Sequence, residues 1–426
     1  MGQKIQAIRG MNDILPQDIA QWQYLERVCA EVANSYAYQE IRTPILEMTE
    51  LFARSIGEVT DIVAKEMYTF TDRDKRSITL RPEGTASIVR AGIEHSLFYN
   101  QVQRLWYCGP IFRHERPQRG RYRQFYQFGV EAFGMASPEI DAEIIAMSAN
   151  LWDKLGIADQ VSLEINNLGT AASRKRYREV LVEYLNDHYT ELDEDSQKRL
   201  QTNPLRILDS KNPALKTIIA NAPSLADYLE TNSSEHFASL CELLENTNIK
   251  YQINTKLVRG LDYYTDTVFE WITAALGSQG TVLAGGRYDT LVQQLGGQAT
   301  PAIGFAMGCE RVLELLQLKQ QIKTQASDIY LVLLDAKSQK QGFILAEKIR
   351  KHFPTRVTRC DWQLGSAKSQ FKRADKSGAA LAIVIGENEL AQGKVIIKYL
   401  RQEQPQALVG ENECLNVISD YFKGTA

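Results

Sequence analysis

The sequence has no run of about 18 uninterrupted apolar residues, which excludes an ordinary membrane-crossing helix. Its first residues, MGQKIQAIRGMNDILPQ, hold neither an apolar core nor a small-residue cleavage site, so the expected location is the cytoplasm, with no membrane partner. Cysteine is sparse: six residues, at 29, 108, 241, 309, 360 and 414, with no CxxC and no companion histidine at ligand spacing. That pattern points to neither a disulfide framework nor structural zinc, and no metal ligand is assigned. Positive charge is also short, since a formal net charge of -3 offers nucleic acid no global attraction and leaves RNA contact to local basic clusters. Internal repeats and low-complexity tracts are absent.

What is present is an ordinary globular composition, 44% apolar and 24% charged, spread over 426 residues, more than one hydrophobic core usually organises. Apolar residues at helical spacing, Trp22, Leu25, Val28, Cys29 and Val32, predict a helix from Asp18 to Tyr36. The strand-like EIRTPILE that follows contains Pro44, which suits an edge strand or one bordering another subunit. Strands and turns then run from Ser77 to Glu131 around a helix from Glu83 to Tyr99, and residues from about 170 to 250 become polar and helical. Strand signals resume in YQINTKLVRG, VFEWIT and AGGRYD, and GFAMGCERVLELLQL approaches a helix through glycines. A polar break at about 320–327 precedes IYLVLL, RVTRC, LAIVIG and KVIIKYL, with a helix from Gln341 to His352 among them. The expectation is an α+β first domain, 1–325, built on an antiparallel sheet with a helical insertion at about 170–250, followed by a small α/β domain, 326–426.

The densest chemistry lies in FRHERPQRGRYRQFYQFGVE, from Phe112 to Glu131, which reads as a long β-hairpin turning at Arg116 to Gly120. Alternation places Arg113 and Glu115 on one face of the first arm, and Phe125, Gln127 and Glu131 on one face of the second. Groups so polar cost several kcal/mol each when buried unpaired, so a polar ligand explains them better than an apolar core; the bland alternative is a solvated hairpin face. TLRPEGT, at 79–85, presents Glu83 and Thr85 at a proline turn, where an acidic residue often merely begins a helix. LVRGLDYY, at 257–264, sets Arg259 at a bend around Gly260 beside Asp262, Tyr263 and Tyr264, a pattern that by itself reads as a salt-bridged surface turn. In GFAMGCER, at 304–311, Gly304 and Gly308 permit close approach and Arg311 can stack on a purine or pair with a phosphate, although core packing also explains the glycines.

These segments resemble the three motifs of class II aminoacyl-tRNA synthetases: the helix, strand and proline of the first, the FRHE hairpin of the second, and the glycine-rich helix ending in arginine of the third. LVRGLDYY and AGGRYD, at 284–289, resemble the two segments particular to histidyl-tRNA synthetases, and the likeness runs over nearly the whole chain. One departure is Cys309, where an aliphatic residue is more usual, with packing as the expected consequence. The resemblance implies a class II synthetase-type catalytic domain, a C-terminal anticodon-binding domain, and a homodimer. It implies ATP-dependent activation of L-histidine to histidyl-adenylate, release of pyrophosphate, and transfer to the 3' end of tRNA(His). By resemblance, Arg259 and Arg113 are catalytic, while Arg113, Glu115, Arg121, Phe125 and Arg311 bind ATP. Histidine is met by Glu83, Thr85, Arg113, Gln127, Glu131, Arg259, Tyr263 and Tyr264, with Glu131 and Tyr264 at opposite ring nitrogens. Magnesium accompanies ATP in this family; Glu270 is a candidate metal-facing carboxylate that spacing alone does not assign. Arg116 and Arg119 are candidate tRNA contacts, as are Lys368, Lys372, Arg373 and Lys376 on a C-terminal helix, where the bland reading is a solvated face.

Two rival readings fit fewer of these residues. A catalytically inactive, histidine-binding regulatory paralogue of a phosphoribosyltransferase typically lacks the C-terminal domain and loses part of the arginine set, whereas Arg113, Arg259 and Arg311 are all here. A synthetase for another amino acid would share the class motifs but not LVRGLDYY.

Overall fold

The computed structural model describes residues 4–57, 60, 62–208, 210, 212–277, 280–319, 326–363 and 365–424, so most of the polar break expected at 320–327 lies outside the described residues. The chain divides into two compact units, Met1–Ile322 and Lys323–Ala426.

The strands of the first unit are β1 (Gln39–Glu40), β2 (Leu46–Met48), β3 (Tyr68–Thr71), β4 (Ser77–Leu80), β5 (Gln103–Phe112), β6 (Gln124–Phe133), β7 (Ser162–Asn167), β8 (Tyr251–Ile253), β9 (Thr265–Ile272), β10 (Thr281–Arg287) and β11 (Ala302–Gly308). Its helices are α1 (Ile19–Ser35), α2 (Thr49–Ile56), α3 (Thr85–Glu94), α4 (Pro138–Leu155), α5 (Ala171–Asp187), α6 (Glu194–Thr202), α7 (Lys216–Asn221), α8 (Thr231–Asn246), α9 (Leu291–Gln294) and α10 (Cys309–Lys319). Eight strands form one sheet in the order β1-β5-β6-β11-β10-β9-β7-β8. It is antiparallel except at its edges, where β1 runs parallel to β5 and β8 to β7. A separate antiparallel sheet has the order β2-β4-β3.

The amphipathic stripe places α1 as its spacing predicts: Trp22, Leu25, Val28, Cys29 and Val32 are all buried. They join α4, α10 and one face of the large sheet in a common core, each large apolar side chain contributing about 1.5–3 kcal/mol. Helix α4 was not anticipated, although Pro138 in its first turn and the left-handed Gly156 at its end are ordinary start and stop signals. The insertion runs from β7 to β8 as α5–α8 around its own apolar residues, Tyr177, Leu181, Leu185 and Leu200 among them.

The hairpin is present as β5 and β6, with Phe112 opposite Gln124 and Gly109 opposite Gln127. One expectation needs correction: β5 ends at Phe112, so Arg113 and Glu115 lie in the turn-rich connection and share no strand face. The run RHERPQRGRYR carries too much charge, proline and glycine to extend the ladder. The helix expected over Glu83–Tyr99 is also shorter, Thr85–Glu94: the Glu83 carboxylate accepts from the backbone N–H groups of Thr85 and Ala86 at its start, and Ser96, at φ +55°, lies just past its end.

The second unit contains β12 (Ile329–Leu333), β13 (Thr358–Cys360), β14 (Leu381–Ile385), β15 (Lys394–Tyr399) and β16 (Ala407–Gly410), with α11 (Ala336–His352), α12 (Ala367–Lys376), α13 (Glu387–Ala391) and α14 (Cys414–Lys423). Its sheet order is β13-β12-β14-β15-β16, the first three parallel and the last two antiparallel. Every residue of β12 and β14 is buried, which is why both read as unbroken apolar runs.

Candidate active site

A cavity of about 210 Å³ opens over the large sheet. Its wall brings together Glu83, Thr85, Arg113, Glu115, Arg121, Phe125, Gln127, Arg259, Tyr263, Tyr264 and Arg311, which come from four separate stretches of sequence. Gly308 also lines it, and no atom crowds the place where its Cβ would stand.

The polar groups are disposed unevenly. Arg113 donates from Nε to the Pro82 carbonyl at 2.8 Å and holds its guanidinium 5.4 Å from the centre of the Phe125 ring. Arg311 donates to the carbonyls of Gly120, at 3.0 Å, and Thr281, at 2.6 Å, which ties the hairpin connection and β10 to the start of α10. Arg121 and Glu115 pair with each other at 2.6 Å. Arg259 is ion-paired with Glu270 and lies 5.2 Å from the Tyr264 ring centre. Burial pulls its pKa down, but Glu270 and Tyr264 more than reverse that, so it stays fully cationic. Three buried atoms of this lining, Tyr107 Oη, Gln127 Oε1 and Arg259 Nε, have no hydrogen-bond partner among the described residues, and Glu115 Oε2 has only its ion pair with Arg121. An unpaired buried acceptor and donor are costly unless a ligand completes them.

Glu131 is placed differently from the rest. It is 1% exposed and stands one layer behind the cavity wall, where Oε1 accepts from the Thr85 hydroxyl at 2.6 Å and Oε2 from the Tyr288 hydroxyl. Gly304 makes that depth possible, because a Cβ there would collide with the Glu131 carboxylate. Tyr288, from AGGRYD, packs edge-on to Tyr263 and Tyr264 at 5.6 and 6.4 Å. The AGGRYD pattern alone does not reveal that this phenol backs the pocket. Its Arg287 is 2% exposed and bonded to Asp141, Asp289 and the Met135 carbonyl, a structural cation rather than a ligand contact.

Burial raises the Glu131 pKa to about 8, against the lowering pull of its two hydroxyl donors. Between about pH 4.3, the unfolded value, and about 8, the folded chain holds a proton that the unfolded chain releases, so this contribution to stability is full at acid pH and falls as pH rises. The thermal midpoint of the unliganded protein therefore drops more between pH 5 and 8 in the wild type than in Glu131→Gln. Parallel melting curves for the two proteins over that range would show Glu131 to be ionised throughout.

The basic residues proposed for RNA divide. Arg116 is exposed on the hairpin connection, whereas Arg119 is ion-paired with Glu314 of α10 at 3.0 Å. On α12, Arg373 is bonded to Asp361 at 2.6 Å, and Lys368, Lys372 and Lys376 are exposed. Glu310, missed in the sequence, lines the cavity and accepts the Tyr126 N–H with both oxygens; burial brings its pKa to about 7. Cys309 is buried, with a thiol raised by its hydrogen bond with Cys108 and by burial, in keeping with a packing role. None of the six cysteines is disulfide-bonded.

A family model described as histidyl-tRNA synthetase matches residues 10–312. The chain belongs to the histidyl-tRNA synthetase family. A second model, for an anticodon binding domain, matches residues 319–420. Among solved structures, the chain is similar to the apo histidyl-tRNA synthetase of S. aureus, with 36% identity over 97% of this chain and 100% of that one, and a TM-score of 0.82. The histidyl-tRNA synthetase of a Nostoc species, at 18% identity, covers 98% of this chain and 100% of its own, with a TM-score of 0.68. A Bacillus halodurans protein described as an ATP phosphoribosyltransferase regulatory subunit/histidyl-tRNA synthetase has 22% identity over 90% of this chain and 99% of its own, with a TM-score of 0.65. The last two likenesses speak to the fold alone. As a histidyl-tRNA synthetase, this chain is a class II histidine–tRNA ligase that uses ATP, and the regulatory reading is the less favoured one.

Proposed function

We propose that the cavity over the large sheet is where L-histidine and ATP react to give histidyl-adenylate, and that the second unit reads the anticodon of tRNA(His). The observation that carries this is the meeting of Arg113, Arg259, Gln127 and Tyr264 on one wall, with two of their polar atoms still lacking partners. Phe125 and Arg311 sandwich the adenine, Arg121 and Glu115 meet the outer phosphates and the adenine side, and Arg113 bridges the α-phosphate and the histidine carboxylate. Glu83, Thr85 and Gln127 take the amino group. The imidazole extends past Thr85 toward Glu131, with Tyr264 at its other nitrogen and Tyr263 along its flank. Amino acids without ring nitrogens leave these buried groups unpaired, a penalty that reaches about 10⁴ in discrimination.

Arg259 holds positive charge at the phosphorus while the histidine carboxylate attacks and pyrophosphate departs; such transfer depends on positioning and charge more than on covalent help. Magnesium belongs to this proposal as an ion carried by the ATP phosphates. It is bound by hard oxygen donors, the kind Glu115 and Glu270 supply, although Glu270 now serves Arg259 and Thr281. Among the described residues, no helix is long and apolar enough to cross a membrane, and the cytoplasm remains the proposed location.

For the dimer, the support is the small β2-β4-β3 sheet, where Leu46, Met48 and Phe70 are 43%, 47% and 47% exposed next to Pro44. A second copy of the chain covers this face. Met48→Glu combined with Phe70→Glu would bury charge at that contact and give a monomer by light scattering; an unchanged molar mass would place the dimer contact elsewhere.

Amino-acid-dependent exchange of pyrophosphate into ATP, run with all twenty amino acids, tests reaction and substrate at once. Removal of residues 326–426 is expected to lower tRNA charging by about two orders of magnitude, as when one of two linked binding modules is lost, while exchange stays within about three-fold. Equal losses in both half-reactions would assign the second unit to stability.

A further inference from the structure

A second cavity, of about 360 Å³, lies where the helical insertion meets the 257–264 segment, and it shares Arg259, Leu261 and Tyr264 with the reaction cleft. Helix α5 contributes Arg174, Lys175 and Arg178 to its lining. None of the three forms an ion pair among the described residues. Arg174 is partly buried and donates only to backbone, to the Tyr264 carbonyl at 2.6 Å and the Gly169 carbonyl at 3.3 Å. Burial lowers its pKa, with Asp266 and Asp262 pulling the other way. The side chains of Lys175 and Arg178 are exposed and make no hydrogen bond to a described residue. The acid in the lining, Asp262, accepts from Asn203 at 3.2 Å.

Arg174 and Arg178 stand four residues apart on the helix, and Lys175 and Arg178 three apart, so they are like-charge neighbours that weaken α5. A concave wall of cations beside a low-dielectric interior concentrates its field on an anion. Two guanidinium forks and an ammonium suit the acceptor oxygens of a phosphate group, either the two non-bridging oxygens of a phosphodiester or the oxygens of free phosphate.

We propose that this cavity binds a phosphate group through Arg174, Lys175 and Arg178, and that occupancy is passed to the histidine pocket through the bond from Arg174 to the Tyr264 carbonyl. Arg174 thereby acts as a positioning residue. The phosphate is either a backbone phosphodiester of the tRNA or free inorganic phosphate; the first source rests on the ligase reading above, the second does not.

The test uses the full chain with Lys175→Ala/Arg178→Ala and, separately, Arg174→Lys. If the source is RNA, the double variant raises the KM for tRNA about ten-fold and flattens its log–log salt dependence by about 1.4, two contacts at about 0.7 each on a single strand. Histidine-dependent pyrophosphate exchange stays at the wild-type rate. If the source is free phosphate, the tRNA KM holds and binding of inorganic phosphate, followed by calorimetry, is lost in the double variant. With either source, Arg174→Lys raises the histidine KM about five-fold at unchanged kcat, the low end of usual coupling between sites. A double variant matching the wild type in both tRNA KM and phosphate binding overturns the site, and an unmoved histidine KM in Arg174→Lys overturns the relay. Absence of exchange in the wild type would defeat the ligase reading instead, with the calorimetric arm still reporting on the cavity.

Discussion

Arg259→His is expected to slow histidine-dependent pyrophosphate exchange by about 10²–10³, the usual loss when one preorganised donor to a transition-state charge is removed. The guanidinium is poised by Glu270 on one side and the Tyr264 ring on the other, and its Nε has no partner among the described residues. Imidazole is shorter, is mostly neutral at pH 7, and cannot span from Glu270 to the phosphorus. Folding should survive, because Glu270 keeps its bond from the Thr281 hydroxyl. The decisive comparison is exchange rate against melting temperature. Near-normal exchange in a well-folded variant would remove Arg259 from the reaction, and a collapsed melting temperature would make the ion pair structural.

The second large effect lies away from the cleft. Asp141 is completely buried, receives Arg287 at 2.6 Å, and faces His236 at 2.8 Å. Asp141→Ala leaves a 2%-exposed guanidinium with only Asp289 and a carbonyl, and breaking such a pair costs about 3–5 kcal/mol. Urea unfolding of the first unit should report a loss of that size. A change below about 1 kcal/mol would mean that water or Asp289 takes over the charge.

Much of this arrangement could be read from the residues. The α1 stripe, the β5–β6 hairpin and the entry from β11 into α10 follow from periodicity and glycine placement, which are local properties. Eleven of the twelve residues assigned to histidine or ATP line the cavity, while the twelfth, Glu131, sits behind it. Pairings across long sequence separations were the part that spacing could not give. Arg119 pairs with Glu314 and Arg373 with Asp361, carboxylates far off in sequence or on another element, and both arginines stay partly exposed. Arg113 and Glu115 seemed to share a strand face only because alternation was carried past the residue where the ladder stops. Tyr288 was missed for a related reason: a phenol next to a glycine pair announces nothing until β10 lays it against Glu131.

The bond path from Thr85 through Glu131 to Tyr288 also bears on synthesis. Its members are 46 and 157 residues apart along the chain, and β6 finds its neighbour β11 only after the whole insertion has been made. A ribosome that has released the first 250 residues has exposed only part of the cavity wall, because Arg259, Tyr263, Tyr264 and Arg311 have yet to emerge. On the proposed assignment of the cavity to histidine, the free amino acid gains a complete site on the nascent polypeptide only once residues 304–311 have emerged.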